Sequence, residues 1–140
     1  MIRHAKKTTS RRRPHRRGVA ATEFAICLPV LLLLLLGTIE CCTMIFLKQT
    51  LAIAAYEGGH TALMPAATTA DARNTCNQIL NDRQVRSGSV QFVPANLDSV
   101  AEGDYFEVRV SAPTNANQVV PLSFFGSQTL QASAVFMKEI

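Results

Sequence analysis

No acidic residue precedes Glu23 in this 140-residue chain, and no aromatic residue precedes Phe24. The first absence leaves eight bases (Arg3, Lys6, Lys7, Arg11, Arg12, Arg13, Arg16 and Arg17) without a counter-charge, while beyond Gly18 the ten acids outnumber the remaining bases. The formal charge of +4 therefore describes a tail attached to an acidic body. The second absence removes the stacking platforms that single-stranded nucleic acid needs. The bases also stop where an apolar run begins, which favours a topological signal over a phosphate-binding arm. No nucleic-acid partner is expected.

Other absences narrow the chemistry. The four cysteines, Cys27, Cys41, Cys42 and Cys76, show neither CxxC spacing nor a histidine at ligand distance, so no zinc site and no metal are expected. Cys76 lies outside the apolar run and is a free or paired thiol. There is no glycine-rich phosphate loop, no paired-carboxylate frame and no Ser/His pattern, and His60 stands alone with Glu57 three residues before it. The reading is of a protein that is not an enzyme, has no catalytic residues and uses no cofactor.

What is present is a run of 29 residues, VAATEFAICLPVLLLLLLGTIECCTMIFL (19–47), broken only by Glu23 and Glu40. As a helix it rises about 43 Å, more than the roughly 30 Å of a hydrocarbon core. A removed secretory signal would need small residues before the cut, whereas Thr38 and Glu40 occupy those places ahead of Cys41. Neither Cys41 nor Cys42 has the small residues that a lipoprotein signal puts before its cysteine. A retained anchor is the reading, with Pro29 a candidate kink because it removes one backbone donor.

The periodicity continues past the membrane. Met44, Leu47, Leu51, Ala54, Ala55, Gly58 and Ala62 recur at three- and four-residue steps, predicting an amphipathic extension over 48–64 that ends before Pro65. Its small residues, Ala52, Ala54, Ala55, Gly58 and Gly59, allow close approach either by the chain's own head or by a partner helix. Asp71 is read as the cap of a second helix over 72–86, with Cys76, Ile79, Leu80 and Val85 on one face.

The period then changes to two over 89–93, 105–111 and 129–137, with Phe106, Val108 and Val110 on one face and Glu107, Arg109 and Ser111 on the other. Gly103-Asp104 marks a turn before the middle strand. The fold class is therefore α+β: a long N-terminal membrane-spanning α-helix continuing into a small C-terminal head with an antiparallel sheet of about three strands. Such a sheet is too small to stand alone and should lean on the helix extension. The apolar segment 119–126 either covers the core or forms a contact patch. The resulting division is 1–18 basic leader, 19–47 membrane helix, 48–64 extension and 65–140 extracytoplasmic head.

Glu23 is costly in an apolar entry segment unless a positive group offsets it. A cut after Gly18 would place Glu23 near the start of the new helix, where the dipole and a fresh α-ammonium favour negative charge. A headgroup-level carboxylate that stays wet is the other reading. The stretch RRGVAATEF (16–24), with its basic leader, glycine, glutamate five residues later and long apolar helix, resembles the type IV prepilins. RRGVAATEFAICLPVLLLLLLGTIE is most similar to TadE-like proteins, minor pilins or pseudopilins of the Tad (Flp) pilus system, and AAYEGGHTAL (54–63) and LQASAVFMKE (130–139) extend the likeness.

The resemblance implies a processing site at Gly18 and Val19, cut by prepilin peptidase on the cytoplasmic face, and a prepilin motif at Glu23 and Phe24. The topology signal is Arg11, Arg12, Arg13, Arg16 and Arg17. It also implies other pilin or pseudopilin subunits, the Tad assembly machinery and the lipid bilayer as partners. The expected location is the bacterial inner membrane, single-pass with the N-terminus cytoplasmic, with possible incorporation into an extracellular pilus. Val19 stands where ordinary type IV pilins carry phenylalanine, and Phe24 where the major Flp pilins carry tyrosine. The chain is also much longer than the major Flp pilins, so it does not read as one. An uncleaved single-pass protein with an extracytoplasmic binding head is the alternative, and a secreted domain is a third reading.

Overall fold

Leucine dominates residues 28–36, Pro29 and Gly37 stand singly and eight residues apart, and the extension is rich in alanine, so helix propensity is high along most of the stretch. The computed structural model, which describes residues 17–119 and 126–138, accordingly places one helix, α1, at Arg17–Ala62, running through Pro29. The chain divides into two compact units, the first ending at Leu34 and the second being Leu35–Ile140.

In the first unit the described residues are solvent-facing on every side. Val19, Phe24, Ile26, Leu28, Val30 and Leu31 are all exposed, and none of the most apolar stretch is buried within the protein. A soluble core helix hides one face, whereas this segment hides none and is long and apolar enough to cross a membrane.

The second unit has its own core. Its helix α2 is Thr69–Asp82 and its strands are β1 Ser89–Val93, β2 Tyr105–Pro113 and β3 Thr129–Met137, in the order β1-β2-β3, with both pairings antiparallel. Alternation puts Phe106, Val108, Val110 and Ala112 of β2 inside, with Val90 and Phe92 of β1 and Ala132 of β3 in register beside them. Against this face lie Leu47, Leu51, Ala54 and Ala55 of α1 and Ala72, Cys76 and Leu80 of α2, forming one apolar cluster. The sheet thus leans on the helix extension as its small size requires.

The boundaries of α2 differ from the sequence expectation at both ends. Asp71 is the third helical residue and not the cap; the cap is Thr68, whose hydroxyl oxygen accepts the Asp71 N–H. The Asp71 carboxylate reciprocates by accepting from the Thr68 N–H at 2.9 Å and the Thr68 hydroxyl at 2.7 Å, a capping box. These bonds hold the Asp71 carboxyl below its ordinary pKa. At the other end, Gln84 takes a left-handed φ of 57°, Gln84 N–H donates to Asn81 O and Val85 N–H to Leu80 O. That is the Schellman arrangement, which stops the helix at Asp82 although no glycine advertises it.

The turn before β2 is where the sequence places it. Asp104 N–H donates to Ala101 O, and Gly103 carries the turn's positive φ of 86°. Of the apolar segment 119–126, residues 120–125 lie outside the described residues; Val119 is exposed.

Candidate processing and assembly segment

The predicted junction, Gly18–Val19, falls in the first turn of α1. A Cβ built on Gly18 meets nothing within 4 Å among the described residues, so nothing in the chain's own packing asks for glycine there. Thr22 Oγ1 folds back on this turn, donating to Val19 O at 2.8 Å and lying 3.3 Å from Gly18 O. Glu23 is exposed and stands four residues after Val19, hence on the same helical face one turn on. No positive side chain pairs with it among the described residues. Phe24 beside it is 59% exposed. Arg11, Arg12, Arg13 and Arg16 lie outside the described residues, and Arg17 opens the helix.

Farther along, the structure decides how the small-residue stripe of the extension is used. A Cβ on Gly58 would come within 2.1 Å of Cys76 Sγ, and one on Gly59 within 1.9 Å of the Phe136 ring. Cys76 Sγ donates to Ala54 O at 3.2 Å, so α2 rests directly on the α1 backbone. The stripe therefore packs against the chain's own head, which removes Ala54, Ala55, Gly58 and Gly59 from any partner helix. Above Gly59 the rings continue outward: Phe106 stacks on Phe136, Phe136 meets Tyr56, and Tyr56 stacks on His60.

The opposite face of α1 stays open. Phe46, Gln49, Ile53, Tyr56 and His60 recur at three- and four-residue steps, all exposed, with Arg83 of the α2 cap over the Phe46 ring at 5.8 Å. This face escaped the sequence reading because Gln49, Glu57 and His60 dilute its apolar pattern, although Phe46, Ile53 and Tyr56 at their spacing could have disclosed it.

Two further residues change meaning. Glu40 looks in the sequence like an interruption of the membrane run, yet it is 3% exposed and shares a small cleft with Thr43, Leu47, Thr114 and Asn117, at the foot of the head. Cys76 is a free thiol with no exposure, and burial pushes its pKa up to about 11, with Arg73 opposing. It is a small hydrophobe of the core and is unreactive at neutral pH.

The family model described as "TadE-like protein" matches residues 18–60, from the junction glycine to the last turn of α1. The likeness read from RRGVAATEF onward thus holds over the helix and is not extended by this match to the head. No curated protein and no solved structure matches the chain.

Proposed function

We propose that this chain is a TadE-like prepilin: it is inserted with its basic leader in the cytoplasm, cut by prepilin peptidase between Gly18 and Val19, and then used as a structural or assembly subunit of a Tad pilus. The observation that carries the reading is the coincidence at one place of the TadE-like match, the start of α1 and a glycine that the fold itself does not need. A glycine whose Cβ would meet nothing among the described residues is free to serve an external purpose, and at this place in the match a peptidase pocket that accepts only the smallest residue is such a purpose.

The subunit works by association and not by catalysis. After the cut the new α-ammonium of Val19 lies one turn from the Glu23 carboxylate, either in the same chain or in a neighbour, so the acid that is costly in lipid gains a positive partner where the helix dipole also favours it. The apolar stretch that follows Glu23 holds the subunit in the bilayer, and the open face of α1 through Phe46, Ile53 and Tyr56 receives the helices of other pilin or pseudopilin subunits.

The test is the amino terminus of the protein recovered from its host, read by intact mass. A terminus at Val19 is expected, and Gly18→Leu should retain the leader while leaving the head's fold unchanged. Glu23→Ala should leave the cut in place and reduce assembly. A leader retained beside a working peptidase would turn the reading to a plain single-pass anchor, and a start near residue 41 would turn it to a secreted domain.

A further inference from the structure

Charge in the second unit is segregated along the head, and the segregation is set by topology. The antiparallel register puts Ser89, Pro113 and Thr129 at one end of the sheet and Val93, Tyr105 and Met137 at the other. At the Tyr105 end lie Asp98, Glu102 and Asp104, with Asp71 on the first turn of α2, whose neighbouring Thr69 donates its N–H to Asp98. The bases nearest this end have protein partners: Lys138 donates to Val100 O, and Arg73 donates to Val90 O and covers the Phe92 ring.

The Pro113 end is basic. Arg83 covers Phe46, and Arg86 is clamped to the 113–119 loop, its N–H donating to Asn117 Oδ1 at 2.7 Å and its carbonyl accepting from Asn117 Nδ2 at 3.0 Å. Asn117 in turn lines the cleft that holds Glu40, Thr43 and Leu47 of α1. Lys48 follows directly, its ammonium donating to Gln131 O of β3. The acids at this end are Glu40, which is buried, and Asp82, which is exposed; Glu57, farther up α1, lines one cleft with Asp82 and Arg83. Among the described residues neither Arg83 nor Arg86 pairs with a carboxylate.

The level of this rim relative to a bilayer follows from residue count. A hydrocarbon core takes about 20 helical residues, which counted from Glu23 end near Thr43. Thr43 is in the same cleft as Asn117, and the apolar run gives way to its first base at Lys48. On the membrane-anchored reading, with the count begun at Glu23, the rim is at headgroup depth. Guanidinium groups there meet phosphates, whose geometry they match in bidentate fashion, and the exposed Val119 beside them can enter the acyl boundary.

We infer that the basic rim formed by Lys48, Arg83, Arg86 and the 113–119 loop is a docking surface for anionic phospholipid headgroups, which holds the head down on the outer leaflet with its acidic end facing away. This rests on the membrane-anchored reading above. Docking fixes the head's tilt before assembly, and extraction of the subunit into a filament has to release it.

The experiment places the full chain in nanodiscs of phosphatidylcholine, alone or with roughly a third phosphatidylglycerol, and follows backbone amide exchange. In the anionic discs exchange over 83–88 and 113–119 should slow, by on the order of fivefold per engaged base. Exchange over 94–104 should not change. High salt, Arg83→Gln with Arg86→Gln, and the charge-reversed pair should each abolish the difference, while unchanged exchange over 94–104 verifies that the variants fold. Equal rates in the two membranes, or slowing that survives salt and the substitutions, overturns the inference. If the chain does not enter the discs at all, the anchor reading itself fails, which is a separate outcome.

Discussion

At Gly59 the chain has no room for even a methyl group, because the Phe136 ring lies directly on the helix backbone. Gly59→Ala must move that ring, and with it the contacts to Phe106 and Tyr56. Overpacking of this kind costs about 1–3 kcal/mol. The loss is measurable as earlier unmasking of Cys76 to a thiol reagent along a denaturant series. The same thiol gives the molecule an alkaline limit. Its folded pKa is raised to about 11 while the unfolded thiol titrates near 9.0, so stability should hold below about pH 9 and decline as pH rises toward 11. Cys76→Ala should flatten that decline, although it leaves a small cavity. The sequence marked Gly58 and Gly59 as places of close approach without saying what approaches. Composition cannot distinguish an internal neighbour from an external one, since both ask for the same absence of side chain.

Among the elements, the strands were the most legible. Residues 105–111 alternate so cleanly that the inward row Phe106, Val108 and Val110 could be named directly, and the structure extends the strand by only two residues, to Pro113. Helix α2 was less legible because both of its ends use unusual residues. The capping box runs from Thr68 to an aspartate where glutamate or glutamine is commoner, and the Schellman turn places Gln84 in a conformation that glycine prefers. Gln84→Gly should therefore stabilise the head by up to about 1 kcal/mol, through relief of the left-handed strain. The midpoint of chemical unfolding in detergent reads this directly, and a lowered midpoint would mean that the Gln84 side chain contributes more than its backbone costs. The burial of Glu40 was not legible, because an acid in an apolar run looks the same whether it marks a boundary or enters a head.

For the molecule as a whole, the division of labour on α1 is the governing fact. One face of the extension is consumed by the head, and the other is left with Phe46, Ile53 and Tyr56. On the proposed reading a charge on the open face should affect assembly more than folding. Ile53→Glu is expected to leave processing at Gly18 and the head's amide protection near normal while lowering recovery with other pilus components by cross-linking at least several-fold, since an unpaired charge at a packed interface is strongly unfavourable. Undiminished cross-linking would show that partners use another surface. The covered face was legible in the sequence as the stripe Leu47, Leu51, Ala54, Ala55 and Gly58; what covers it was not, because the head and a partner helix ask for the same residues there.

The head's core is built partly from Leu47, Leu51, Ala54 and Ala55, which belong to the rod. The seam along which heads could be exchanged between such proteins therefore does not coincide with the end of the helix at Ala62. A graft joined there would arrive missing one wall of its interior, whereas a graft joined near Leu35, where the two units meet, would carry that wall with it. Recombination that shuffles heads onto new anchors is thus confined to crossover points inside the apolar stretch, well before the sequence begins to look like a head.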